Sequence, residues 1–304
     1  MGMEAYTVVG RIGEGAHGVV VRARHNLTGQ MVALKKIPLR RLDQGMPTTA
    51  LREIKALQEI NSKHVVRLLD VFAEGAGFVL AFELMLGDLG EMIRDATRPL
   101  TPAQVKTYMT TLLSGVAFLH QHNIMHRVAT RWYRAPELLY GARHYDEGVD
   151  LWAVGCIFGE MINNSPIFPG ESDIDQLCVV LQILGTPSEA TWPGLSRLPD
   201  YKKITFPESK PVPLEQVLPD APPDAIDLIK KFLIYSTNKR ISAKKALLHQ
   251  YFFTAPLAAP LHQMPVPLLE KKQPPATQEY MTDFPLHHIT DAIHNHLDTL
   301  YMKG

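Results

Sequence analysis

The sequence predicts an α+β fold with its strands gathered early in the chain and its helices after them. Two observations carry this. Five β-prone runs come before Glu83: Tyr6 to Ile12, Val19 to Arg24, Val32 to Lys35, His64 to Phe72 and Gly77 to Phe82. A single helical pattern interrupts them, with Leu51, Ile54 and Leu57 recurring at helical spacing behind a cap at Thr48 or Thr49. From Thr101 the pattern turns helical, with Pro102 in a first turn and Val105, Met109, Leu112, Val116 and Leu119 stepping by four, three, four and three. That stripe is a core face. A chain of 304 residues with this order of elements makes one large domain or two lobes around a shared cleft.

Composition narrows the class. Hydrophobic content of 46% and charged content of 20% suit a globular protein with a sizeable core. The formal net charge is zero, so neither nucleic acid nor an anionic membrane is expected as a partner. Cys156 and Cys178 lie far apart without metal-ligand spacing, which fits reduced thiols better than a disulfide framework. No basic region followed by an apolar run marks a signal peptide. Met1-Gly2 lacks the Ser or Thr that myristoylation wants at Tyr6. The apolar stretch Leu151 to Ile162 is too short to span a bilayer and contains Glu160.

The first chemistry-bearing motif is Gly13-Glu14-Gly15-Ala16-His17-Gly18. Its G-x-G-x-x-G spacing is shared with dinucleotide sites, but those open a helix, and here the β-branched Val19-Val20-Val21 follows. The pattern is therefore a glycine-rich hairpin whose small residues let backbone N–H groups approach phosphate oxygens. An ordinary turn would serve as well if the motif stood alone. Val32-Ala33-Leu34-Lys35 follows at a fitting distance. A Lys ending an apolar strand is usually a solvated rim residue; behind a glycine hairpin it suits the α- and β-phosphates of a nucleotide.

Further stretches complete a pattern. Pro47-Thr48-Thr49-Ala50-Leu51-Arg52-Glu53, the His126-Arg127 pair, Trp132 to Glu137, Asp150 to Cys156, Pro169 to Leu177, Leu184 to Pro187 and Asn238 to Ala243 all resemble protein kinases, and the first and the 169–187 region resemble the cyclin-dependent kinase family in particular. The resemblance covers Tyr6 to about Ala255. It implies a bilobal kinase fold, with an N-lobe over 1–84, a shortened C-lobe over 85–255 and a Pro/His-rich tail over 256–304. It implies an ATP site of Ile12, Gly13, Glu14, Gly15, Ala16, His17, Gly18, Val19, Val20, Ala33 and Lys35, with Glu53 orienting Lys35 by an ion pair. Glu83 and Met85 would meet adenine through backbone groups, and Asp88 is a ribose contact or, equally, a helix N-cap. The helix over 47–58 would dock a cyclin-like protein, and Arg240 would pair with Glu137. The implied activity is phosphoryl transfer from Mg-ATP to Ser or Thr before Pro, with Arg134 near the substrate-binding turn. Cell-cycle control, in nucleus and cytoplasm with the cilium as a further place, comes with the same resemblance.

The chain departs from the family at one point. After His126-Arg127 a kinase continues with Asp and soon an Asn and Asp-Phe-Gly; here Val128 follows at once. Roughly forty residues of the family pattern are missing between Arg127 and Val128. The lost Asp accepts the substrate's proton, a role worth roughly 10²–10⁴ in rate. The lost Asn and Asp hold magnesium, so the sequence offers no metal ligands in their place. The activating Thr goes too; Thr130 matches a later Thr, and Asp150 matches an anchor beneath the catalytic loop. Two strands flooring the ATP cleft vanish with the segment. A kinase-family chain of impaired catalysis is expected, or alternatively a pseudokinase-like binding module or splice variant. His287, His288, His294 and His296 invite a zinc reading of the tail, against the plainer one of a loosely docked extension.

Overall fold

The computed structural model describes residues 2–15, 18–38, 48–75, 77–126 and 130–267, with the backbone alone at 14, 15, 18, 38 and 48–53. Ala16, His17, Pro47, Arg127, the Glu53 side chain and the His-rich tail lie outside the described residues. The chain divides into two compact units, one reaching Leu86 and the other running from Gly87 to Pro267.

The first unit is built on an antiparallel sheet of order β1-β2-β3-β5-β4. Its strands are β1 (Tyr6–Gly15), β2 (Gly18–His25), β3 (Met31–Pro38), β4 (Leu68–Ala73) and β5 (Gly77–Glu83). Alternation divides the apolar residues between two faces. Val32, Leu34, Val79, Ala81, Phe72, Ala23 and Tyr6 cluster on one. Val71, Phe78 and Leu80 cluster on the other, where Ile54 of helix α1 (Thr48–Glu59) completes the packing. The strand expected from His64 begins only at Leu68. Ser62 forms a turn there, accepting the Val65 N–H on its carbonyl (3.2 Å) and the His64 N–H on its hydroxyl (3.2 Å), which takes both groups out of a ladder.

The second unit is helical: α2 (Leu89–Arg94), α3 (Pro102–Gln121), α4 (Pro136–Leu139), α5 (Gly148–Asn163), α6 (Asp173–Leu184), α7 (Leu214–Val217), α8 (Pro223–Phe232) and α9 (Ala243–Ala246). Thr101 and Gln104 close a capping box on α3, each side chain accepting the other's backbone N–H at 3.3 and 3.0 Å. On α3 Met109 and Leu113 are fully buried; Leu112, assigned to the stripe by spacing, is only partly covered. A four-or-three step cannot choose between neighbours on a broad apolar face. Helix α5 is apolar on all sides and buried almost from end to end, with Trp152 stacked on Phe168. It ends in the left-handed Asn164, at φ +53°. Cys156 is buried and Cys178 partly so, both as free thiols. Among the described residues no helix is long and apolar enough to cross a membrane. The observed architecture, a sheet with one packed helix followed by a helical unit, is α+β.

Candidate functional site

The glycine hairpin and the third strand share a register. Gly15 lies opposite Gly18, Glu14 opposite Val19 and Gly13 opposite Val20. Val20 in turn lies opposite Lys35, Lys35 opposite Leu80, and Leu80 opposite Val71. Gly13, Val20, Lys35, Leu80 and Val71 therefore form one rung across the sheet. Cross-strand partners share a face, so Lys35 stands on the side that α1 covers with Ile54. Glu53 is the residue before Ile54. Ala33, opposite Arg22 and Phe82, is the next residue along that face. The register slips between Arg11 and Gly13, which leaves Ile12 as the extra residue of a bulge, 50% exposed at the hairpin's approach.

The end of β5 is pinned by Glu83. Its N–H donates to the Arg67 carbonyl (3.1 Å), and its carboxylate accepts the Arg67 N–H (2.8 Å). The Glu83 N–H and carboxylate are thus both engaged with Arg67. Met85 is 56% exposed. In the second unit, Asp88 is the N-cap of α2, its Oδ1 accepting the Glu91 N–H at 2.8 Å.

The stretch before the junction is anchored from below. Asp150, 2% exposed in the first turn of α5, accepts the His126 N–H (2.9 Å) and bonds His120 Nε2 (3.0 Å), both on Oδ2. A carboxylate at that distance requires the proton on Nε2. The buried His120 Nδ1 lies 3.5 Å from Glu147 without a hydrogen bond. Asp146 is committed as well, accepting the Gly148 N–H on Oδ1 (2.9 Å) and the Thr237 hydroxyl on Oδ2 (3.2 Å). Asp146 and Asp150 thus both serve as anchors. Among the described residues no three of His, Cys, Asp and Glu come together to hold a metal ion.

Beyond the junction the chain is held residue by residue. Thr130 precedes a turn over Arg131–Tyr133. The Trp132 indole donates to the Gly170 carbonyl (3.0 Å). Arg131 and Arg134 converge on Asp173, at 3.1 and 2.9 Å. The Tyr133 hydroxyl donates to the buried Glu160 carboxylate (2.7 Å), and burial together with that carboxylate pushes the phenol well above its ordinary range. Spacing does not disclose this last pair; its one sequence signal is a lone Glu inside the apolar helix α5. Arg240 pairs with Glu137 through both terminal guanidinium nitrogens, at 2.7 and 2.9 Å, as the family resemblance implies. Burial pushes the neighbouring Cys156 thiol up, against the pull of Arg240, so it is no nucleophile.

Comparison with known proteins agrees with this arrangement. The protein kinase domain family matches residues 6–128 and 127–252, two parts that meet at the junction. Cyclin-dependent kinase 20 from Danio rerio is 55% identical over 329 aligned positions, covering 94% of this chain and 95% of the relative. The protein of that name from Mus musculus is 58% identical over 303 positions, and that from Homo sapiens 55%, each covering 87% of this chain and 88% of the relative. The chain belongs to the protein kinase family, in its cyclin-dependent branch.

Proposed function

We propose that this chain is a cyclin-dependent-type protein kinase whose phosphoryl transfer is impaired, and that it acts by binding nucleotide and a cyclin-like protein. One observation carries the reading. His126 is anchored to Asp150 where a kinase presents its catalytic loop, yet Arg127 runs directly into Val128. The base, the magnesium-binding Asn and the Asp-Phe-Gly Asp have no counterparts between them. The two-part family match supports the same break. So does the Danio rerio alignment: 94% of 304 residues leaves about 43 of its 329 positions without a residue of this chain.

On this reading the nucleotide is held by the backbone of the 13–18 hairpin, with Ile12, Val19, Val20 and Ala33 around it. Lys35, oriented by Glu53, meets the α- and β-phosphates. The backbone C=O of Glu83 and backbone groups of Met85 take adenine, and Asp88 offers the ribose the oxygen that the α2 cap leaves over. When bound, magnesium neutralises phosphate charge in this family. The residues present here do not fit a protein-held magnesium: among the described residues no three of His, Cys, Asp and Glu come together, and Asp146 has both carboxylate oxygens engaged. Helix α1 is the docking face for the cyclin-like partner. Protein substrates of the intact family would meet the turn at Arg134, and nucleus, cytoplasm and cilium are the places proposed for the chain.

Thermal unfolding of the purified chain, with and without ATP and magnesium, tests this. ATP at about a hundredfold over its Kd stabilises by about 2.7 kcal/mol, enough for an upward shift of several degrees. The shift is expected at equal size with and without magnesium. No shift, or one that appears only with magnesium, contradicts the proposal.

A further inference from the structure

Residues 254–267 form a strap that returns along the start of α3. The Ala259 N–H donates to the Ala103 carbonyl at 3.0 Å. Side chains of the second unit then capture strap carbonyls in turn: Lys106 takes that of Thr254 (2.7 Å), Thr107 that of Ala259 (2.7 Å), Gln104 that of Gln263 (2.9 Å) and Arg98 that of Val266 (3.3 Å). The strap is not driven down by apolar burial, since Leu257, Leu261 and Val266 are 65%, 80% and 57% exposed. It is held mainly by its backbone, with the Thr254 hydroxyl, bonded to Asp224 and Lys106, and the buried Ala259 as side-chain additions.

Its last described residue is the exception. A Cβ on Gly87 would stand 2.7 Å from Pro267 Cγ and 3.2 Å from its Cβ, so the proline ring occupies the space that Gly87 leaves. The ring cannot swing aside as a flexible side chain would. Gly87 precedes Asp88, whose Oδ1 is already tied into the α2 cap. Pro267 thus bears on the backbone on one side of Asp88 while the cap fixes the other.

We infer that the strap is a positioning element for the nucleotide site, in which Pro267 against Gly87 sets Asp88 for a ribose hydroxyl. The inference rests on the nucleotide reading proposed for the chain. The geometry gives a role to the shape-specific contact at Pro267, which the carbonyl bonds along the strap hold in place.

Calorimetric titration of the full chain with ADP and with 2′,3′-dideoxy-ADP tests it. The unaltered chain should prefer ADP. Pro267→Gly should lose that preference, with ADP affinity falling roughly threefold to tenfold and the dideoxy analogue unaffected, at unchanged Tm. Gly87→Ala, whose methyl would push the Pro267 ring away, should do the same, and the double variant should be no worse than either, because both break the same contact. If the unaltered chain binds neither nucleotide, the nucleotide reading falls and the strap's role with it. If it binds both equally, or if the variants keep the preference for ADP, the strap's role alone is overturned. A loss shared by both nucleotides and accompanied by a lower Tm would make the strap merely structural, which also overturns the inference.

Discussion

Arg240 places all five of its N–H donors on partners: the two oxygens of Glu137 and the carbonyls of Gly148, Ile234 and Tyr235. It also lies 5.0 Å above the Trp152 ring. Both members of the ion pair are buried, so truncating one strands the other in a low dielectric. Glu137→Ala should therefore cost about 3–5 kcal/mol in denaturant unfolding, even though the intact pair adds little net stability. A surface carboxylate gives a second residue-scale prediction. Hydrogen bonds from Ser196, through side chain and backbone, and from the Gly194 N–H hold the Glu189 carboxyl down to about 2, from an ordinary 4.5. A depressed pKa contributes stability that is present above 4.5 and is lost as pH falls toward about 2. Glu189→Gln should lower stability at neutral pH and flatten the acid limb of a stability–pH profile across that window. Residues inside strong motifs, such as Glu137, Arg240 and Asp150, were legible because each motif names its partner. Tyr133 and Glu160 were not, since a hydrogen bond between a loop and a helix face 27 positions away leaves no periodic trace.

At the scale of elements, α5 shows what close packing demands. A Cβ on Gly155 would meet Phe232 Cβ at 2.7 Å and Leu233 Cδ2 at 2.9 Å, so α8 approaches α5 through the gap left by that glycine. Gly155→Val should destabilise by about 1–3 kcal/mol through overpacking, read as a lower midpoint at unchanged slope in urea. β-prone runs made the five strands visible in advance and helical spacing made α1 and α3 so, whereas α4 and α6 to α9 were not read as helices. Three details escaped. The run from His64 has strand-like composition, but the hydrogen bonds at Ser62 draw its first residues into a turn. On α3 spacing alone could not prefer Leu113 over Leu112, because both lie on the broad inward face. The strap over 254–267 has no apolar periodicity, and bonding through backbone carbonyls is invisible to any pattern of side chains.

For the whole molecule, the sequence carried both the family and its interruption. The rung from Gly13 through Lys35 bears out the expected hairpin and third strand, and the Asp150 anchor beneath His126 survives the missing segment. The ATP-site residues remain a proposal because they gain their meaning from a ligand, and a ligand's contacts are not encoded in periodicity. The central claim is that a nucleotide cradle persists in a chain that cannot complete the chemistry. The most direct test is transfer of labelled γ-phosphate from Mg-ATP to a library of Ser-Pro and Thr-Pro peptides, run beside Lys35→Met. Labelling at the level of that variant is the expected result. Mg-ATP-dependent labelling that Lys35→Met abolishes would contradict it, and would mean that residues outside the missing segment supply both a base and a metal site.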